Sequence, residues 1–215
     1  MMRFFTTLVA ICVVLAQVPA YAQDTKAKEI LEQASKKMSS LKTLKAAFTL
    51  NLLGKSGQVI ESQKGSVMMK GQQYHVLMPK QEIICDGKTV WTLLKDAKEV
   101  QVSAYNPDEQ TVSPTKLFTN FYDKEYNYTY VGLKKVNGKM CDIIEMKPKD
   151  AGKQFTKVAL AFDKSHTITG GSVTEKSGNQ YAYEIGLVTP NPPLSANQFS
   201  YNAALHPGIE VVDLR

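Results

Sequence analysis

The chain is 215 residues long and carries 26 Lys or Arg against 20 Asp or Glu, a formal charge of +6. The cations are mostly Lys interleaved with Glu and Asp, with no basic run of the kind that tracks phosphates, which argues against nucleic-acid binding. Beyond residues 1–22 no run is apolar and long enough to cross a bilayer.

Residues 1–22 read as a secretory signal peptide. Arg3 gives the positive start, Phe4 to Val18 is apolar except for Thr6, Thr7 and Gln17, and Ala20-Tyr21-Ala22 is a small-x-small cleavage site. Cleavage after Ala22 starts the mature chain at Gln23. Cys12 lies inside the apolar stretch, away from the cleavage point where a lipidated cysteine has to sit. Residues 23–215 are read as one exported, soluble domain, long enough for a sizeable core. Its two cysteines, Cys85 and Cys141, lack the spacing of a metal site. An exported chain can hold a disulfide, but several predicted strands separate the two. Neighbouring strands lie about 4.8 Å apart and a disulfide needs Cα atoms within about 7 Å, so the two thiols are expected to be unpaired.

Asp24 to Met38 predicts a helix: Ala27, Ile30, Leu31, Ala34, Met38 and Leu41 recur at three- and four-residue steps, with Asp24 or Thr25 as cap. The period then changes to two. Leu44, Ala46, Phe48, Leu50 and Leu52 line one face of a strand from Leu44 to Leu53. Gln58 to Lys70 predicts a long strand with a bulge or bend at Gly65. Tyr74, Val76 and Met78 share a face of the next. Gln81 to Leu94 predicts a hairpin about Asp86-Gly87, and Glu99 to Ser103 a further strand.

Ala104 to Thr111 breaks the rhythm as a polar loop. Ser113-Pro114 then predicts a short helix to about Tyr122, with Leu117, Phe118 and Phe121 on its apolar side. Strands resume at Glu125–Val136 and Lys139–Lys147 about an Asn137-Gly138 turn, then at Thr156–Phe162, Thr167–Lys176 and Gln180–Val188. Phe199 and Tyr201 predict a strand, and Ile209 to Leu214 another. About eleven strands joined by tight turns, with two helices, favour one antiparallel sheet that must curl or close.

Catalytic signals are poor. His75, His166 and His206 have no carboxylate or thiol at a spacing that implies a dyad, and no nucleophile elbow, zinc-protease helix or paired-carboxylate motif occurs. Gly87-Lys88-Thr89 mimics the end of a phosphate loop, but Glu82 stands where its leading Gly belongs. One sheet face carries an excess of apolar residues: Phe48, Leu50, Leu52, Tyr74, Val76 and Met78. They form either an ordinary core or the lining of a cavity for an apolar ligand.

Taken together, Lys45-Ala46-Ala47-Phe48-Thr49 after an amphipathic helix, Met78-Pro79, Asp86-Gly87-Lys88-Thr89-Val90-Trp91, Ser113-Pro114, Lys153-Gln154-Phe155-Thr156, Phe199 and Pro207-Gly208-Ile209-Glu210-Val211-Val212-Asp213 resemble the periplasmic outer-membrane lipoprotein carrier family, LolA. The resemblance covers essentially all of residues 23–215. It implies an incomplete, half-open β-barrel with a helical lid over an apolar cavity. It implies a monomeric periplasmic chaperone, not an enzyme, with no cofactor or metal. Such a chaperone takes acylated lipoproteins from an inner-membrane ABC transporter towards an outer-membrane acceptor. The six residues above become the acyl-chain lining, and Ile30, Leu31, Ala34, Lys70, Leu117 and Phe118 the lid and its gate. Two positions depart from the family: Leu50 stands where Gln is frequent, and Lys70-Gly71 stands for an Arg-Pro whose Arg latches the lid. Lys lacks the planar fork of Arg. The alternative is a secreted enzyme or regulator on the same half-barrel that binds another lipid or apolar ligand.

Overall fold

The computed structural model describes residues 24–106 and 122–215. Helix α1 (Thr25–Ser39) leads into strands β1 (Leu44–Leu53), β2 (Val59–Lys70), β3 (Gln73–Leu77), β4 (Gln81–Cys85), β5 (Thr89–Leu94) and β6 (Glu99–Ala104). A four-residue helix, α2 (Tyr122–Glu125), opens the second run: β7 (Tyr126–Val136), β8 (Lys139–Pro148), β9 (Phe155–Phe162), β10 (Ile168–Glu175) and β11 (Gln180–Pro190). Two 3₁₀ turns, Ala196–Phe199 and Ala203–Leu205, precede β12 (Glu210–Asp213).

All the strands form one sheet in the order β12-β6-β5-β4-β3-β2-β1-β11-β10-β9-β8-β7. It consists of two meanders, β1 to β6 and β7 to β11, joined where β1 pairs with β11. Tight turns force antiparallel neighbours, and the turn residues supply the geometry. Asn137 and Gly138 both have positive φ, 49° and 78°, as a two-residue hairpin turn requires. At the β4–β5 turn, Asp86 Oδ1 accepts the N–H groups of Lys88 and Thr89 at 2.8 and 2.7 Å. β7 and β12 do not pair with each other, so the sheet is open.

The protein is mainly β, as expected, but differs from the sequence reading in several particulars. Twelve strands stand among the described residues, against about eleven expected, and β12 lies parallel to β6, with Glu210 opposite Glu99 and Asp213 opposite Val102. Phe199 and Tyr201 do not form a strand. Phe199 ends a 3₁₀ turn and is fully buried where that turn packs on β3 and β4. Gly65 causes no bulge; β2 pairs with β1 straight through it. Cys85 on β4 and Cys141 on β8 lie in different meanders, both buried and both free. The predicted Ser113–Tyr122 helix, with Leu117 and Phe118, lies outside the described residues except for Tyr122.

Two apolar clusters divide the inner face. One joins Ala27, Ile30, Leu31 and Ala34 of α1 to β7, β8 and β9. The other is built from β1 to β4, and from the helix region Met38 and Leu41, at and beyond the C-terminal end of α1, pack against it. A single helix that touches both halves requires the sheet to curl around it.

The C-terminal segment is held by burial as well as by the parallel strand pair. Phe199→Ala is expected to cost about 3–5 kcal/mol of unfolding free energy, the range for deleting a fully buried aromatic ring. Chemical denaturation would measure this; a loss below about 1 kcal/mol would mean that the segment is not part of the cooperative unit.

Candidate functional site

Strand register assembles the apolar inner face of β1–β5 in rows. Leu44, Met69, Tyr74, Cys85 and Val90 stand opposite one another in succession, and Ala46, Val67, Val76 and Ile83 form the next row. Phe48 and Met78 flank them. Tyr105 meets Tyr74 edge to face, with ring centroids 6.5 Å apart. The centre of this face, including Tyr74 and Val76, is buried, whereas Phe48, Met78, Ile83, Val90, Ile185 and Val188 are only half-buried. Large apolar side chains left half-covered on a concave face are the raw material of an apolar site.

Gly65 explains how the largest of them fits. It stands opposite Phe48, and the ring lies over it. A Cβ at position 65 would come within 2.5 Å of Phe48 Cζ and 2.8 Å of the Leu77 carbonyl oxygen. The missing side chain is therefore space that the Phe48 ring occupies. Cys85 is part of the same wall. Burial outweighs the N–H that Gly87 donates to the sulfur at 3.3 Å and pushes the thiol pKa up, and the side chain adds a small apolar surface to the wall.

Of the six residues expected to line a cavity, Phe48, Tyr74, Val76 and Met78 come together here. Leu50 and Leu52 run on past the cluster. Leu50 lies between Gln63 and Tyr183, and Leu52 between Glu61 and Tyr181.

The expected lid residues sit elsewhere. Ile30, Leu31 and Ala34 pack on Tyr126, Tyr128, Ile144, Met146, Phe155 and Leu160, over the β7–β9 half. They do not lie above Phe48 and Val76. Burial pushes the Tyr126 hydroxyl up to about 12, so it stays protonated beneath the helix. Lys70 is exposed at the end of β2, and its side chain forms no salt bridge or hydrogen bond to α1 among the described residues.

Other groups fasten the helix. Asp24 caps it through Oδ1, which accepts the N–H groups of Lys26 and Ala27 at 3.0 and 3.1 Å. Its Oδ2 accepts the N–H of Tyr130 on the edge strand β7 at 2.8 Å. Lys26 Nζ lies 3.8 Å from the centroid of the Tyr130 ring and 3.8 Å from Asp142 Oδ1, which also accepts the Tyr130 hydroxyl at 2.8 Å. At the far end, Lys37 Nζ donates to Ser165 O and Thr167 Oγ1 at 3.0 and 2.6 Å. The sequence offered Asp24 or Thr25 as the cap, and the structure uses Asp24. The partners on β7 and in the β9–β10 turn lie more than a hundred residues away and left no local signal.

His75, Glu82 and His206 are tied into the fold. His75 Nε2 and Glu82 Oε1 are 2.8 Å apart, and this hydrogen bond, outweighing burial, holds the Glu82 carboxyl below the usual range. His206 stacks on Tyr201 with centroids 5.0 Å apart. Among the described residues no group of three or more His, Cys, Asp or Glu is placed to hold a metal ion.

Two substitutions test these assignments. Gly65→Ala is expected to cost about 1–3 kcal/mol, as overpacking does, and less in a Phe48→Ala background. Equal costs in the two backgrounds, measured by denaturation, would show that the ring does not use this space. For Asp24, burial raises the carboxyl pKa, but the N–H groups of Tyr130, Ala27 and Lys26 together with the Lys26 charge outweigh it, and the net shift is downward. Asp24→Ala should therefore cost about 1–2 kcal/mol at neutral pH. That difference persists above the ordinary carboxylate pKa of about 3.9 and vanishes as pH falls through the lower folded value. A difference independent of pH would contradict the carboxylate's role.

Known proteins share this architecture. Residues 39–202 match the family model described as outer membrane lipoprotein carrier protein LolA. An outer-membrane lipoprotein carrier protein of Xanthomonas campestris pv. campestris is 26% identical over 183 residues, covering 80% of this chain and 82% of that protein. The protein of the same name from Azotobacter vinelandii is 24% identical over 204 residues, covering 93% and 95%. Among solved structures, an uncharacterized conserved protein from Thermus thermophilus shares the fold, with a TM-score of 0.57 at 13% identity over 87% of this chain and 99% of that one.

Proposed function

The chain belongs to the outer membrane lipoprotein carrier protein LolA family, and from that premise we propose that it binds the acyl chains of lipoproteins on the inner face of β1–β5 and carries them through the periplasm. The proposal includes export by residues 1–22, a mature domain of residues 23–215, and hand-over from an inner-membrane ABC transporter to an outer-membrane acceptor. The family is one of carriers and not of enzymes, and the relatives named above carry the carrier description.

The observation that supports this reading is the half-covered apolar face around Phe48, Met78 and Ile83. An ordinary core would be closed over these side chains. An acyl chain laid along them would remove its own methylenes and theirs from water together. Each methylene buried contributes about 0.8 kcal/mol, so a chain of a dozen or more supplies ample driving force. Gln63 and Tyr183, beside Leu50, mark where the surface becomes polar, and we place the end of the acyl site there.

Chain length provides the test. Binding of fluorescent peptides with a single acyl chain should weaken about fourfold for each methylene removed, the equivalent of ~0.8 kcal/mol. Affinity that does not depend on chain length, or uptake of the unacylated peptide as well as the acylated one, would contradict the acyl site.

A further inference from the structure

The sequence disperses its lysines, but the fold gathers several of them at one rim. The β2–β3, β4–β5, β7–β8 and β9–β10 turns share one end of the sheet, as the register of successive strands requires. Around the β7–β8 and β9–β10 turns stand Lys134, Lys135, Lys139 and Lys164, all exposed, and none is in a salt bridge among the described residues. The two nearest carboxylates are engaged. Asp142 meets Tyr130 and Lys26, and Asp163 accepts the N–H groups of Ser165 and Thr167 at 2.9 Å. The opposite rim is mixed in sign, with Lys80 paired to Glu61 and Lys153 to Glu125.

The same hairpin exposes apolar side chains. Leu133 is 58% and Met140 49% exposed. Register puts Leu133 opposite Asp142 and Met140 opposite Lys135. Both therefore lie on the helix-bearing face, continuing it beyond the point where α1 begins, near Asp142. Lys135 shares that face with Leu133 and Met140, while Lys134 and Lys139, opposite Cys141 and Val136, stand on the other face of the same hairpin tip.

We propose that this hairpin, Leu133 to Met140, docks on an anionic phospholipid surface. The lysine ammonium groups would lie among the phosphates while their stems and the Leu133 and Met140 side chains enter the headgroup boundary. A protein partner fits this surface less well, because lysine is depleted from the interior of protein–protein interfaces. The inference concerns the outer rim and does not depend on the acyl site, although a carrier that loads at a membrane would gain from it.

The test is sedimentation of the purified protein with vesicles containing phosphatidylglycerol and with vesicles of phosphatidylcholine alone. Binding is expected to the first only and to fall as salt rises. The triple variant Lys134→Glu, Lys135→Glu, Lys139→Glu should lose more than roughly tenfold of that binding. Leu133→Ser with Met140→Ser should weaken it severalfold, with melting temperature and acyl-peptide uptake unchanged in both variants. Equal binding to both vesicle types, undiminished binding by the triple variant, or binding to a soluble acidic polypeptide in place of vesicles would overturn the proposal. Loss of acyl-peptide uptake by the wild type with vesicle binding intact would instead count against the acyl site.

Discussion

Among the described residues, the curled sheet has more apolar inner surface than α1 can cover. Twelve strands spaced about 4.8 Å apart span roughly 50 Å from β12 to β7. The fifteen residues of α1 make a rod about 22 Å long. Placed across β7–β10, that rod buries one half of the inner face, and among the described residues the other is left to Met38, Leu41 and Tyr105. The acyl site that we propose follows from this shortfall. The β1–β5 half keeps an apolar surface that is complete in its rows but half-covered at its margins.

The same comparison separates the fixed part of the protein from the part that we propose takes the ligand. Ile30 and Leu31 are almost fully buried, and burying each contributes about 1.5–3 kcal/mol. Lifting α1 would also uncover Ile144, Met146 and Phe162, all at or near zero exposure. The total would approach the roughly 5–15 kcal/mol that typically separates a folded domain from its unfolded state. α1 is accordingly a wall. The exposed contacts at its ends, Lys26 with Asp142 and Lys37 with the β9–β10 turn, add little energy of their own. They fix where the helix lies, and hence which half of the sheet stays open.

Much of this was legible in the sequence, because it is written in short periods. The two-residue alternation from Phe48 to Leu52 and from Tyr74 to Met78 gave the faces, Asp86-Gly87 and Asn137-Gly138 gave the turns, and the Ala27-to-Leu41 repeat gave the helix. What remained hidden depends on contacts between distant segments. Alternation assigns Phe48 and Leu50 to one face but cannot say that the cluster stops between them. The helical repeat identifies Ile30 and Leu31 as buried without saying against what, and the answer is Tyr126, Tyr128 and Met146 in the other meander. Gly65 reads as a defect until Phe48 is placed opposite it. Phe199 reads as a strand residue because its partners on β3 and β4 are far away in the chain. The parallel pairing of β12 with β6 left no trace, since the connection between them runs through most of the protein.

In the proposed function the two halves of the inner face do different work, and the methionines report on each half. Met69 and Met78 belong to the β1–β5 cluster, and Met146 is fully buried beneath α1. Methyl NMR of these three side chains during titration with an acylated peptide would read both halves in one experiment. The Met69 and Met78 signals should shift on saturation while Met146 stays in place. A shift of Met146 with Met69 and Met78 unmoved would put the ligand under the helix and contradict this division of the sheet.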